Sequence, residues 1–235
     1  MFGTQNIPLS LQSEAFSLLI KKEANLFTYK RETGKENKEK VILGDQKQIL
    51  INPIEPLNIP KDLSPYLDIE FKRTLTIEPA SSRKIFLKFP LEIGVFLYKK
   101  KAFEILDIFS LTQPKFTLYG DPYNGVICKY WKSDIFSSLP SLDYYHEGAI
   151  ELSLANTSAE WQEVSKAIFN ASGMKIYYND TMVAMKAGMK VENRSIAETY
   201  FLDSPLEKGM NKSLELYKAK KLPVTTAKFI MREGL

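Results

Sequence analysis

The residues with the most distinctive chemistry lie in one short stretch of the chain, residues 115–135. This stretch holds the only cysteine, Cys128, and one of the two tryptophans, Trp131. Between two strand-like runs it carries the pair Asn124-Gly125, a strong turn signal because both residue types tolerate positive φ. The pattern predicts a β-hairpin, which is the first place to look for a chemical centre.

Lysines and aromatic residues interleave along this hairpin, at Lys115, Lys129, Tyr130, Trp131 and Lys132. Aromatic rings stack on bases while lysines meet phosphates, so the pattern is typical of a surface for single-stranded nucleic acid. The alternative, which we favour, is that Tyr130 or Trp131 packs into the core while the lysines keep an exposed sheet solvated. The candidate binding residues are Tyr123, Lys129, Tyr130, Trp131 and Lys132.

Cys128 is expected to be a buried structural thiol and not a nucleophile. It ends the apolar run Val126-Ile127-Cys128, whereas a catalytic thiol needs a base or a cation beside it. The adjacent Lys129 would point to the opposite face of a strand. The sequence also lacks the Gly-x-Ser-x-Gly pattern of serine hydrolases, so we assign no catalytic residue.

The only histidine belongs to the one grouping that resembles a metal site. Asp143, His146 and Glu147 combine carboxylates with an imidazole, ligands that zinc and iron accept. Their spacing matches no hydrolytic zinc motif, and a single histidine excludes sites built from two or three. We therefore predict an ordinary loop residue at His146 and no metal. The sequence has no phosphate-binding glycine loop and no Cys-x-x-Cys pair, so no cofactor is predicted.

Paired carboxylates offer a different chemistry, the acid and base of a glycosidase. Asp68 and Glu70 would share one strand face at a separation of about 7 Å, and Glu151 and Glu163 form a second pair. With 28 acidic residues such pairs also arise by chance. They support an alternative hypothesis, an enzyme or binding protein for carbohydrate or another small polar ligand.

The overall composition limits which binding partners and which cellular compartment are expected. The chain has 32 basic and 28 acidic residues, and this surplus of +4 is too small to indicate a nucleic-acid partner. A single cysteine excludes internal disulfides. The N-terminus shows no secretory signal, and the most apolar run, Ile85–Tyr98, is interrupted by Lys88, Pro90 and Glu92. We therefore expect a cytoplasmic protein without a membrane span.

The elements that position these residues are predicted to be strands. Roughly a dozen short runs, separated by frequent turns, indicate an all-β fold of antiparallel β-sandwich architecture. The dense charged run at residues 31–40 is predicted to be a solvated hairpin tip. One short helix is expected at Leu206–Lys221, where Leu206, Met210 and Leu214 have helical spacing.

A polar, turn-rich segment at residues 137–148 indicates a division of the chain. We predict an N-terminal β domain at residues 1–138 and a C-terminal β-sandwich domain at residues 139–235. A chain of 235 residues is long enough for two domains that each bury a core.

Several short pieces of the sequence form a familiar set. They are Ile77-Glu78-Pro79, residues 88–95 (KFPLEIGV), Leu118-Tyr119-Gly120, Lys129-Tyr130-Trp131 and residues 229–235 (FIMREGL). The set resembles an archaeal family of proteins of unknown function, the domain-of-unknown-function family four-three-two, over nearly the whole chain. The resemblance implies kinship and archaeal origin, and it brings no catalytic or binding residues.

The function predicted from these observations is a non-enzymatic, cytoplasmic β-sandwich module for interaction or regulation. We expect a protein partner or self-association, since the edges and loops of β folds commonly serve as binding surfaces. The first alternative is the enzyme or binding protein for carbohydrate or another small polar ligand. The second is binding of single-stranded nucleic acid by the lysine and aromatic residues of the hairpin.

Overall fold

β-Strands form nearly all of the secondary structure in the computed structural model, which describes residues 1–99, 102–217 and 228–235. The strands are β1 (Gly3–Asn6), β2 (Leu9–Gln12), β3 (Phe16–Glu23), β4 (Leu26–Thr33), β5 (Asn37–Leu43), β6 (Gln48–Ile54), β7 (Tyr66–Ile77), β8 (Ser81–Pro90), β9 (Glu92–Lys99), β10 (Ala102–Phe109), β11 (Phe116–Tyr119), β12 (Val126–Ser133), β13 (Glu147–Asn156), β14 (Gln162–Asn170), β15 (Tyr177–Tyr178), β16 (Val183–Val191), β17 (Ala197–Leu202), β18 (Asn211–Lys212) and β19 (Phe229–Met231). The one helical element in those ranges is a 3-10 turn at Ala171–Gly173, and no helix there is long and apolar enough to cross a membrane. The prediction of an all-β fold is confirmed.

The chain divides into two compact units. Unit 1 comprises Met1–Asn52 and Ile93–Leu111, and unit 2 comprises Pro53–Glu92 and Thr112–Leu235. The chain passes from one unit to the other after residues 52, 92 and 111, and not between residues 138 and 139 as predicted. Strand β13, beyond that boundary, pairs along its whole length with β8, before it. Independent folding of residues 1–138 and 139–235 stays a prediction.

Unit 1 contains two four-stranded sheets, with strand orders β1-β6-β9-β10 and β2-β3-β4-β5. The second sheet is antiparallel throughout. Phe16, Leu18 and Ile20 alternate along β3 and point to its buried face. Because the ring of Phe16 lies 5.5 Å from the ring of Phe109 in β10, that face packs against the first sheet. The core of unit 1 therefore lies between its two sheets.

The charged run at residues 31–40 is a solvated tip only at its turn. Gly34, Lys35 and Glu36 are exposed, as predicted. Arg31 on β4 is fully buried, however, and it meets the buried carboxylate of Asp107. The prediction is wrong for Arg31 because strand alternation turns every second side chain of the run toward the core.

Unit 2 contains a sheet of order β11-β12-β7-β14 and a larger sheet of order β18-β15-β16-β13-β8. In the larger sheet β17 adds to β16, and β19 adds to β17. Most pairs are antiparallel, but β12 runs parallel to β7 and β13 runs parallel to β16. Phe169 of β14 stacks on Phe201 of β17 at 5.0 Å, so the two sheets share a core.

The helix predicted at Leu206–Lys221 is wrong for residues 206–217, and residues 218–221 lie outside the described ranges. Gly209 has a φ of +93°, which an α-helix cannot contain, and Asn211–Lys212 forms β18 instead. The apolar stripe is nevertheless real. Leu206 and Met210 pack in a cluster with Tyr177. The helical spacing here reflects a turn at residues 206–209 that brings Leu206 and Met210 to the same cluster.

Candidate functional site

The predicted hairpin forms one edge of the first sheet of unit 2. β11 and β12 pair from Phe116 opposite Lys129 to Tyr119 opposite Val126. The loop between them requires glycine, since a Cβ on Gly125 would lie 2.5 Å from the carbonyl oxygen of Asp121. A turn is present as predicted, but neither Asn124 nor Gly125 has a positive φ, and glycine is needed at position 125 because the backbone passes too close for a side chain.

Strand alternation places the candidate binding residues of β12 on opposite faces. Lys129 and Trp131 lie on one face, and Tyr130 and Lys132 lie on the other. Tyr123 is apart from both, in the hairpin loop, where it is 95% exposed. The five residues do not form a single surface, and their binding role stays a prediction.

Lys129 is part of the core of unit 2. Its Nζ donates to Glu92 Oε1 at 2.7 Å, and both side chains are buried. The other carboxylate oxygen of Glu92 accepts the backbone N–H of Asn58 at 2.9 Å. Because a buried ammonium needs such a partner, Lys129 anchors the proline-rich segment that contains Asn58 and is not presented to a ligand.

Tyr130 and Lys132 share one acidic partner on the neighbouring strand. The Tyr130 hydroxyl donates to Glu70 Oε2 at 3.0 Å, and Lys132 Nζ donates to Glu70 Oε1 at 2.7 Å. The hydrogen bond from Lys132 lowers the pKa of Glu70 against the opposing effect of burial. Glu70 therefore stays ionised and neutralises Lys132.

Asp68 and Cys128 lie on the same face of this sheet as Tyr130, and both are buried. In the register of β12 on β7, Cys128 is opposite Tyr66 and Tyr130 is opposite Asp68. Burial raises the pKa of Asp68 to about 6, against the opposing effect of Lys166. Burial, with a smaller contribution from the charge of Asp68, raises the pKa of the Cys128 thiol to about 12. The thiol is thus protonated at neutral pH, which suits the structural role predicted for it.

An aromatic layer from the C-terminal strand covers this end of the sheet. The ring of Phe229 lies 5.0 Å from that of Tyr66 and 6.0 Å from that of Tyr119. The Tyr119 hydroxyl accepts the N–H of Glu233 at 3.0 Å and donates to the carbonyl of Gly234 at 3.1 Å. Among the described residues, the side chains of Asp68 and Cys128 are therefore covered from solvent.

Two of the three candidate metal ligands, Asp143 and His146, lie in the loop before β13, and Glu147 begins β13. His146 Nδ1 lies 2.8 Å from Asp143 Oδ1. Glu147 forms an ion pair with Lys88 of the neighbouring strand. Within the described ranges, no group of three histidine, cysteine or acidic residues is placed to hold a metal ion.

A cavity of about 620 Å³ opens at the far end of β7 from Asp68. It is lined by Thr74 and Thr76 of β7, Glu163 and Ser165 of β14, Trp161, Arg194 and Leu235. Trp161 is 62% exposed although it is a large apolar residue. Arg194 reaches the cavity from the turn between β16 and β17. An exposed indole thus stands beside hydroxyl, carboxylate and guanidinium groups.

Of the residues around this cavity, sequence patterns pointed only to Glu163, as one member of an acidic pair. Its proposed companion, Glu151, is on β13 in the other sheet and pairs with Lys84 at 3.1 Å. Trp161 and Arg194 carry no motif, because their role depends on two loops that meet only in the folded chain. The one signal was a tryptophan placed directly after a polar turn.

A second surface of interest lies on unit 1, on the solvent-facing side of sheet β2-β3-β4-β5. Leu43 and Val41 of β5 are 76% and 62% exposed, and Leu26 of β4 lies directly opposite Leu43. We call Leu26, Val41 and Leu43 the outer patch. Adjacent exposed apolar side chains of this kind mark contact surfaces more often than isolated ones do.

Comparison with known proteins identifies the family. A family model described as "Protein of unknown function (DUF432)" matches residues 1–232. The chain belongs to this family, and the resemblance seen in its sequence is confirmed. No curated protein matches the chain, and no solved structure matches it.

Proposed function

We propose that this DUF432 protein is a non-enzymatic interaction module that works through contacts between protein surfaces. The observation that carries the proposal is the outer patch on unit 1. Val41 and Leu43 project from the last strand of the sheet with more than half of their surface in water. Burying such side chains against a partner stabilises a complex by about 25 cal/mol for each Å² of apolar surface removed from water.

The partner docks on the face of the sheet and not on its edge. Lys38 and Lys40 of β5 point to the inner face, where Lys38 pairs with Asp107 at 2.6 Å and Lys40 donates to the carbonyl of Leu106. An added strand would enclose these inward lysines, a device that proteins use to protect sheet edges. Pairing along the edge of β5 is therefore disfavoured, and the outer patch remains available.

The occupant we propose is a second copy of the chain. Lys30 and Glu39 form an ion pair at 3.1 Å on the same outer face, beside Val41. A surface that carries an apolar patch next to one positive and one negative group is self-complementary under a twofold axis. In such a dimer Lys30 of each copy faces Glu39 of the other, while the two outer patches meet.

The size of the surface predicts a weak dimer. Four strands of at most eight residues, at ordinary strand spacing, offer roughly 500 Å² for each copy. Stable complexes bury about 800 Å² for each partner, so association should depend on concentration. This is the behaviour expected of a regulatory contact.

Sedimentation velocity over a wide range of protein concentration tests the proposal. We expect the weight-average mass of the wild-type protein to rise with concentration and that of the variant Val41→Lys/Leu43→Lys to stay at the monomer value. The matched control is Leu118→Lys/Ile127→Lys, which alters an exposed cross-strand pair in unit 2 and should associate like the wild type. A monomeric wild-type protein, or loss of association in the control alone, would overturn the proposal.

We also propose a cytoplasmic setting and, from the family resemblance, an archaeal source. The single free cysteine supports the first, because Cys128 is buried as a protonated thiol. A reducing compartment keeps thiols in that state. Localisation of a tagged protein by cell fractionation tests the setting, and recovery in the membrane or secreted fraction would contradict it.

A further inference from the structure

The cavity at Trp161 has the size and the exposure of a ligand site. Its volume of about 620 Å³ falls within the range of about 300 to 1,000 Å³ that small-molecule sites occupy. It lies wholly within unit 2, where β7 and β14 supply one wall and Trp161 and Arg194 supply the others. Part of its lining is thus made by strands, which hold their side chains rigidly.

Trp161 is the feature that most needs an explanation. The side chain of Trp161 is 62% exposed, so a large apolar ring lies in water. Covering that ring with a ligand would be favourable, because it removes apolar surface from water. The same indole also borders a smaller cavity of about 210 Å³ that includes Leu75, Ile77 and Ile85. Trp161 therefore stands between two adjoining cavities as a flat apolar platform. A sugar ring, whose faces carry C–H groups, can pack on such a platform.

The polar groups around the indole suit a ligand rich in hydroxyl groups. Thr74, Thr76 and Ser165 contribute hydroxyls, each both donor and acceptor. The Ser165 hydroxyl already donates to the backbone oxygen of Leu235 at 2.7 Å, which leaves its own oxygen able to accept from a ligand. The Glu163 carboxylate accepts two hydroxyl donors, and the Arg194 guanidinium donates to hydroxyl or ring oxygens. The cavity thus offers both hydrogen-bond donors and acceptors, which matches the hydroxyl groups of a sugar.

The charges of the side chains around the cavity disfavour an anionic ligand. Glu163 and Arg194 carry one negative and one positive charge, which cancel. Glu160 lies 3.8 Å from Arg194 and offsets the guanidinium further. An acidic sugar or a phosphate would meet Glu163 and Glu160 without a surplus cation. Anion sites require side chains with a net positive charge, and these residues do not provide one.

The site extends beyond one sugar unit. A further cavity of about 480 Å³ shares Arg194 with the first and includes Ser158, Gln162 and Asn193. Together the three cavities follow residues 158–165 and meet at Trp161 and Arg194. An open, branched surface of this kind accommodates a chain of sugar units better than an enclosed small molecule. From these features we infer that the Trp161 cavity of unit 2 binds a neutral oligosaccharide.

The geometry supports binding and not cleavage of the saccharide. A glycosidase places two carboxyl groups on either side of the bond that it breaks. Of the described residues that line the main cavity, Glu163 alone has an acidic side chain. Its sequence-predicted companion, Glu151, is engaged by Lys84 on the other sheet of unit 2. No bond-breaking step is therefore assigned to this site.

The test is a titration of the full chain with a panel of neutral oligosaccharides built from glucose, mannose, galactose or xylose, followed by tryptophan fluorescence. We expect at least one member to change the emission of Trp161 with saturation at millimolar concentration or below. In Trp161→Ala the affinity, measured by calorimetry, should fall about tenfold or more, as for other central aromatic contacts. Glu163→Gln should weaken binding less, because the amide still accepts one hydrogen bond.

Trp131→Phe is the matched control, since it removes the other tryptophan at a half-buried position outside the cavity. It should keep both the affinity and the fluorescence change, and melting curves must show that each variant is folded. Failure of every neutral oligosaccharide, tighter binding of an acidic oligosaccharide or of single-stranded DNA, or unchanged affinity in folded Trp161→Ala would each overturn the inference. The variant Val41→Lys/Leu43→Lys should bind saccharide normally, so this result and the dimer result are independent.

Discussion

Two buried aspartates, one in each unit, have opposite electrostatic environments. Asp107 of unit 1 accepts hydrogen bonds from Tyr29 at 2.8 Å, Arg31 at 2.8 Å and Lys38 at 2.6 Å. Burial opposes ionisation of Asp107, but these three donors outweigh it and hold its pKa below the usual value. The carboxylate is therefore ionised and serves as a hub between β4, β5 and β10.

Asp68 of unit 2 is equally buried but lacks such donors. Its Oδ1 has no hydrogen-bond partner among the described residues, and burial raises its pKa to about 6. Unit 2 holds a second acid of this kind, Glu55. Its Oε2 is also without a partner in the described ranges, and burial raises its pKa to about 8. Burial alone thus does not determine whether an acid is ionised, because the number of hydrogen-bond donors around its carboxyl group decides whether its pKa is raised or lowered.

The largest effect should follow from removing the hub of unit 1. Asp107→Asn leaves Arg31 buried without its main counter-charge, so we expect a loss of about 3 to 5 kcal/mol in the free energy of unfolding. Chemical denaturation at neutral pH measures the loss. Glu32→Gln, at an exposed position on the same strand as Arg31, is the control and should change stability little. Equal effects of the two substitutions would show that the hub does not stabilise unit 1.

Asp68→Asn is expected to increase the free energy of unfolding at neutral pH, whereas Asp107→Asn decreases it. The folded protein holds the proton of Asp68 up to a pH of about 6, whereas the unfolded chain releases it near 3.8. The stability contributed by this proton is complete below pH 3.8 and is lost as the pH rises through about 6. The ionised carboxylate then costs at most about 3 kcal/mol at neutral pH. The amide that replaces it cannot ionise, so the variant should be more stable than the wild type at pH 7 and similar to it near pH 4.

Unfolding curves recorded between pH 4 and pH 7 for wild type and Asp68→Asn provide the measurement. The difference in unfolding free energy should grow with pH. Asp107→Asn serves as the contrasting case. The lowered pKa of Asp107 means that its contribution is present above the unfolded value and lost as the pH falls, so its destabilisation should shrink in acid. A pH-independent difference for Asp68→Asn would contradict the assignment.

The smallest effect is expected at Glu70, which shares the exposed sheet face with Lys132. Glu70 and Lys132 form a pair at 2.7 Å whose side chains are partly in water, and such pairs contribute little to stability. Glu70→Gln should change the free energy of unfolding much less than either aspartate substitution. A loss comparable to that of Asp107→Asn would mean that the Tyr130–Glu70–Lys132 cluster is a second structural hub.

Local patterns were most informative where one face of a strand is buried. The two runs around Asn124-Gly125 predicted β11 and β12 closely, because alternation and turn chemistry are local properties. The same alternation also implied that Lys129 and Tyr130 point to opposite faces. The lysines and aromatic residues of β12 therefore do not form one patch, because they lie on both faces of the sheet.

Charge was a poor guide to exposure in the run at residues 31–40. Its composition predicts a solvated tip, yet Arg31 is fully buried because Asp107, 76 residues away in sequence, supplies the partner. The helical spacing of Leu206 and Met210 is equally ambiguous, since a turn that contains Gly209 packs the same residues into one cluster. Both errors have one physical origin, which is that burial is decided by distant neighbours.

The amino-acid sequence alone determined the class of fold, the position of the hairpin and the family to which the chain belongs. These depend on hydrophobic alternation, turn residues and short characteristic strings, all of which are local. Only the tertiary structure decided that Lys129 pairs with Glu92, that Asp68 is enclosed without a full set of donors, and that Trp161 and Arg194 border one cavity. Each of those facts depends on which segments, distant in sequence, come into contact. The pairing of the strands determines those contacts.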